Sequence, residues 1–217
     1  MSRINILIYF LMEGGYIYMF KPAQFYIVVG NSSFIVRKEG SNINTEIYLE
    51  TFAPYVPPYH HLFDEDKCSY LMDITSQIKK LKMKNITIIL PDDCIDLAVE
   101  KKILTGFFTD NGISKIQFTF QCFLLSLENK KYISISKTTR TLVMHYIAYK
   151  AALATRYYDL NNTTIEEVSQ DLKNIHSQCK YNDIPVFINN VNDNMEAFSS
   201  LGTLVSLDDI FTNAMKL

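Results

Sequence analysis

The sequence is poor in the residues from which most catalytic loops are built. Its 217 residues include only seven glycines, and they form no Gly-x-Ser-x-Gly elbow and no Walker or Rossmann loop. The one adjacent glycine pair is Gly14-Gly15. With only six prolines as well, there is little room for a flexible linker or a low-complexity tract. Basic charge is not in excess either: 21 Lys and Arg stand against 23 Asp and Glu, a formal net charge of −2. No basic field is therefore available for a phosphate backbone, and nucleic-acid binding is disfavoured. The four cysteines, Cys68, Cys94, Cys122 and Cys179, show no paired spacing. Reduced thiols in a cytoplasmic protein are the expectation. Long apolar runs are missing too. Residues 4–12 are apolar but only nine long, against roughly 20 for a membrane span. Arg3 precedes this run, yet no small-x-small cleavage site follows. Residues 1–24 are expected to be an extra strand or a leader before a start near Met19, with an exported or anchored protein as the remaining alternative.

What is present is a clear α/β pattern, centred on residues 85–127. Residues 86–90 are apolar and rich in β-branched side chains, like a strand covered on both faces. Pro91 cannot donate to a sheet and stops it. Asp92 or Asp93 is placed to cap a helix, whose apolar face is read from Ile95, Val99, Ile103 and Phe107. Asn111-Gly112 ends that helix, and residues 113–120 alternate as a strand does.

Upstream, residues 25–29, the turn Gly30-Asn31-Ser32 and residues 33–37 read as a hairpin. Residues 46–51 add a third strand, residues 54–67 a proline-containing loop, and Leu71, Ile74, Ile78 and Leu81 a helix. Downstream, residues 132–136 predict a strand and residues 142–156 a helix apolar nearly all round. Thr163-x-x-Glu166 is a capping box opening a helix that carries Ile165, Val168, Leu172, Ile175 and Cys179. A strand at 184–188, a short helix ended by Gly202, a strand at 204–205 and a helix from Asp208 or Asp209 complete the chain. No internal repeat is visible. The fold class is α/β: a mixed sheet with an N-terminal three-strand meander, then strand-helix-strand units, with helices on both faces. Residues 25–136 are read as one subdomain and 137–217 as a C-terminal part packed on the same core, with a soft boundary near 128–140.

That order of elements resembles the first subdomain of the actin-like ATPase superfamily, which includes actin, sugar kinases and heat-shock chaperones. The segment Val28-Val-Gly-Asn-Ser-Ser33 resembles its first phosphate loop. The resemblance implies that Gly30, Asn31, Ser32 and Ser33 would cradle a nucleotide phosphate if binding survives. It also implies an Asp two residues before the loop glycine and a glycine-rich second phosphate loop after an Asp. Here those places hold Val28 and the run Ile133-Ser-Ile-Ser-Lys-Thr-Thr-Arg-Thr141, which has neither glycine nor carboxylate. Without such groups, phosphoryl transfer loses the charge neutralisation that carries it. The ATPase is expected to be dead, with no catalytic residue, no metal and no cofactor.

Other chemistries are weaker. His60 and His61 sit beside Asp64, Glu65 and Asp66, but neighbouring residues on extended chain point apart, so a solvated loop is favoured over a metal cluster. His145 and His176 lack a motif partner. Cys94 has no visible base. The run Thr138, Thr139, Arg140 and Thr141 could hold an anion or simply cap. The last sixty residues also resemble the second half of a STAS domain, in which a Ser or Thr at a helix start is phosphorylated; Thr163 or Thr164 lies nearest, without the Asp-Ser-x-Gly pattern. The sequence thus predicts a non-catalytic interaction or assembly module, with a protein partner or a second copy of itself. The alternatives are an unrecognised nucleotide-binding enzyme and a STAS-like regulatory partner.

Overall fold

A computed structural model describes residues 22–93 and 97–217, the Leu97 side chain excepted. Residues 4–12, Gly14-Gly15, Cys94 and Ile95 lie outside the described residues.

The hairpin expected at the start is present. Strands β1 (Gln24–Val29) and β2 (Ser33–Lys38) run antiparallel, and β3 (Asn44–Tyr48) adds to β2. Helix α1 (Cys68–Lys80) leads to β4 (Asn85–Leu90), which pairs parallel with β1. Helix α2 (Leu97–Asp110) then leads to β5 (Lys115–Phe120), parallel with β4. The first sheet therefore has the order β3-β2-β1-β4-β5. Its central strands β1 and β4 are apolar on both sides because both sides are covered. Ile27, Val29, Ile86 and Ile88 pack under the two helices with Ile74, Ile78, Leu104 and Phe108. Tyr26, Val28 and Ile89 face the other way, into a second core.

The chain leaves this sheet after Phe120 and enters a second one at β6 (Lys131–Lys137). There the expected helix over 142–156 is a hairpin instead, β7 (Leu142–Ala148) and β8 (Ala151–Tyr158). The misreading has two physical causes. Every residue of β7 is buried, so it shows no alternation and looks apolar all round. The turn that separates the strands is Tyr149-Lys150, with φ of 53° and 63°. Such two-residue turns normally announce themselves with Asn-Gly, which takes positive φ at little cost. Replacing Tyr149-Lys150 by Asn-Gly is therefore expected to raise stability by about 1 kcal/mol, read as an upward shift in the denaturation midpoint.

Helix α3 (Ile165–Leu172), β9 (Val186–Asn189), β10 (Thr203–Val205) and α4 (Leu207–Ala214) complete the second half, giving the order β10-β9-β6-β7-β8. Strand β9 is parallel to β6 and β10 to β9. The last sixty residues thus finish this sheet. Both halves consist of a three-strand meander followed by two parallel strands, so the chain does repeat, in topology rather than in identities. Three cores result. One lies under α1 and α2, one lies beneath α3, and the middle one joins the sheets through Val28, Ile35, Tyr132, Ile147, Ile210 and Phe211.

Candidate functional site

The two halves bring their first hairpins tip to tip. In the β1–β2 turn the Gly30 N–H donates to the Ser33 carbonyl at 2.9 Å. The next amide, that of Asn31, donates across the molecule to the Asn192 Oδ1 at 2.9 Å. A Cβ on Gly30 would stand 3.1 Å from that same oxygen, so glycine is needed here for close approach rather than for backbone freedom. From the opposite hairpin the Thr139 hydroxyl reaches the Asn31 carbonyl at 3.4 Å. Of the four expected cradle residues, Asn31, Ser32 and Ser33 line a polar groove of about 400 Å³ that Asn192, Asp193 and Glu46 close from the other side. Val28, where a carboxylate would organise a metal, is fully buried in the middle core. Among the described residues no group of three or more His, Cys, Asp or Glu is placed to hold a metal ion.

The β6–β7 turn is built around Arg140. Its Nε donates to Asp93 Oδ2 at 2.8 Å and a terminal nitrogen donates to the Asp93 carbonyl at 3.1 Å. The other terminal nitrogen donates to Glu100 Oε1 at 3.1 Å. The Thr138 hydroxyl donates to Asp93 Oδ2 at 2.5 Å, and His60 Nε2 lies 2.9 Å from Glu100 Oε2. Asp93 and Glu100 are 1% and 2% exposed. Burial works against the Arg140 charge, but the hydrogen bond and charge of Asp93, with Glu100 behind, outweigh it and raise its pKa. Burial likewise pushes the Glu100 carboxyl up, yet His60, Tyr59 and Arg140 together hold it below its usual value.

Asp92 turns to the other side of the chain. Its carboxylate accepts the Cys122 N–H at 2.6 Å and the Asn189 amide at 3.3 Å. Asn189 also donates to Gln121 at 2.7 Å, and Gln121 to the Val29 carbonyl at 2.9 Å. His145 Nε2 donates to the Asp92 carbonyl at 3.0 Å, and its Nδ1 lies 2.9 Å from the Thr155 hydroxyl oxygen. Burial raises the Asp92 pKa, against smaller opposing pulls from His145 and the Cys122 N–H. A carboxyl whose folded pKa is raised contributes stability fully below its unfolded value, about 3.9, and loses it as pH rises through the folded value. Asp92→Asn keeps an oxygen for the Cys122 N–H and relieves the buried acid, but gives up the oxygen that accepts from Asn189, so it is expected to change stability by no more than about 1 kcal/mol, as thermal unfolding at pH 7 would show.

Asp92 and Asp93, expected as helix caps, are thus centrepieces of a buried network. Helix α2 differs accordingly. Its inward residues are Leu104, Phe107, Phe108 and the charged Glu100, while Val99 is 45% exposed. Of the expected apolar face, Phe107 is buried and Ile103 packs against the core, whereas Val99 faces out; His60 and Arg140 supply the partners that make the inward Glu100 tolerable. Sequence reading also passed over Asn192, Gln121 and Asn189. The available hint was a pair of aspartates directly behind a buried strand, together with an arginine in a turn that lacks glycine.

The remaining candidates separate. His60 serves Glu100, whereas His61 Nδ1 lies 2.6 Å from Asp64 Oδ2, so the pair shares no ligand. His176 stacks on Tyr146 with ring centroids 4.4 Å apart. The Thr163 hydroxyl donates to the Asp159 carbonyl at 2.7 Å, and Thr164, rather than Thr163, caps α3 by accepting the Glu167 N–H at 3.2 Å. The reciprocal capping box forms at α4, between Ser206 and Asp209. Among the described residues no helix is long and apolar enough to cross a membrane.

No family model and no curated protein matches the sequence. Solved structures do. The chain is similar to a Bacteroides thetaiotaomicron protein of actin-like ATPase fold and unknown function, at 10% identity and a TM-score of 0.53, over 91% of this chain and 96% of that one. It is similar to AlfA in a filament bound to AMPPNP at 13% identity and a TM-score of 0.50, over 86% and 89%. Against MreB5 of Spiroplasma citri bound to ADP it has 11% identity and a TM-score of 0.43, and spans 56% of that chain with 70% of its own. With its two meander-led sheets meeting at opposed hairpins, the chain has the actin-like ATPase fold.

Proposed function

We propose that this chain is a non-catalytic interaction or assembly module, a pseudo-ATPase that keeps the actin-like scaffold without its phosphoryl chemistry. The observation that carries the reading is the Asn192 side chain seated on the Asn31 amide at 2.9 Å. That N–H is the kind of donor a phosphate loop offers to its ligand, and here the protein supplies the acceptor. Two further features agree. Val28 offers no oxygen to a metal, and the second hairpin presents Arg140 already neutralised by Asp93 and Glu100. A protein partner or a second copy is the ligand such a module would take, and a cytoplasmic setting suits the free Cys68, Cys122 and Cys179. AlfA, similar in fold, is seen in a filament, which is consistent with self-association.

A second reading is a nucleotide binder that uses the groove beside Asn31, Ser32 and Ser33. Its size of about 400 Å³ and its polar lining favour it, and Asn192 would have to move aside. Incubation with ATP and magnesium separates the two, through turnover and through magnesium-dependent stabilisation.

A further inference from the structure

We propose that Arg140 is a tethered cation that latches the two halves together without any ligand. The first half builds an acidic socket from Asp93, next to β4, and Glu100, on α2. Both carboxylates are nearly sealed from water. Among the described residues of that half, the only basic side chain in contact with either one is His60, and it touches Glu100 alone. The hydroxyl that Asp93 accepts from belongs to Thr138, also on the second half. Without Arg140, the closed molecule would therefore hold the Asp93 carboxylate buried with no cation beside it, a costly arrangement. Arg140 enters from the β6–β7 hairpin and spends three nitrogens on the socket, two on Asp93 and one on Glu100. A planar fork makes these contacts at once, whereas a lysine ammonium cannot reproduce their spread. The same hairpin rests on the first one through Thr139 and Asn31, close to the Asn31–Asn192 bond. Closure is thus built into the chain. The inference concerns conformation and stands whether or not nucleotide is turned over.

Amide exchange tests it, because the Asn31 N–H is protected by a bond between the halves. In Arg140→Met, the ratio of Asn31 exchange to that of the core amides of β4 and β6 is expected to rise at least tenfold. In Arg140→Ala the same rise is expected, reversed to within threefold of wild type by millimolar methylguanidinium, which can occupy the socket untethered. Arg140→Lys is expected to resemble Arg140→Met. Three results would overturn the latch: an unchanged ratio, exchange at Asn31 rising only in step with the core amides, or failure of methylguanidinium to slow exchange in Arg140→Ala.

Discussion

Asp93→Ala is expected to destabilise the protein by about 3 kcal/mol, at the lower end of what is lost when one partner of a buried ion pair is removed. For a chain of this size that corresponds to a drop in Tm of roughly 6–12 °C. The carboxylate is 1% exposed and accepts from Thr138 and Arg140, so its removal strands a hydroxyl and half of a guanidinium. The matched control is Asp66, whose side chain is 78% exposed and pairs with Lys67 in solvent. Asp66→Ala should cost no more than about 0.5 kcal/mol. With Asp92→Asn, the three substitutions test burial and pairing together: the adjacent aspartates should differ, Asp93 costing far more than Asp92, and the exposed one should hardly matter. Equal losses at Asp92 and Asp93 would contradict the assignment of the two carboxylates to different networks.

Gly202→Ala is expected to cost about 3 kcal/mol as well, for a steric reason. The glycine's backbone is extended, with φ of 177°, so no conformational preference is at stake. A Cβ there would stand 2.4 Å from the Val186 carbonyl oxygen and 2.8 Å from its carbon. These are backbone atoms of the neighbouring strand and cannot swing away. Relief requires β10 to shift from β9, and their three-residue pairing is short enough to be lost entirely. Overpacking in a closed interior typically costs 1–3 kcal/mol. Gly202→Ser should be no better tolerated, whereas alanine at Gly112, which has open space but φ of +83°, should cost only about 1 kcal/mol. A wild-type melting curve for Gly202→Ala would mean that β10 does not lie where it is placed.

The first half was legible because its elements obey local rules. Gly30-Asn31 marks a hairpin, Pro91 ends a buried strand, and Ile74 and Ile78 fall at helical spacing. The second half was harder because β7 is buried on both faces and its turn uses Tyr149-Lys150 at positive φ without Asn or Gly. Once that hairpin reads as a helix, the repetition of the two halves disappears. Asn31, Ser32 and Ser33 line one groove at the hairpin turn that the sequence marked. The two buried networks, one around Asp92 and one joining Asp93 and Glu100 to Arg140, were not legible, because Asn189 and Arg140 lie 97 and 47 residues from the aspartates they meet. A helix-cap role fitted the aspartates equally well on local grounds. Asn192, which lies 161 residues from its partner Asn31, carries no local pattern at all.

On the proposed reading, an actin-like scaffold persists here without the means to grip magnesium and phosphate. Purified protein incubated with ATP and magnesium, assayed for phosphate release and for Tm with and without the metal, tests this most directly. The account predicts no release above the protein-free rate and the same Tm in both conditions. Sustained release, or a Tm that rises with ATP only when magnesium is present, would contradict it.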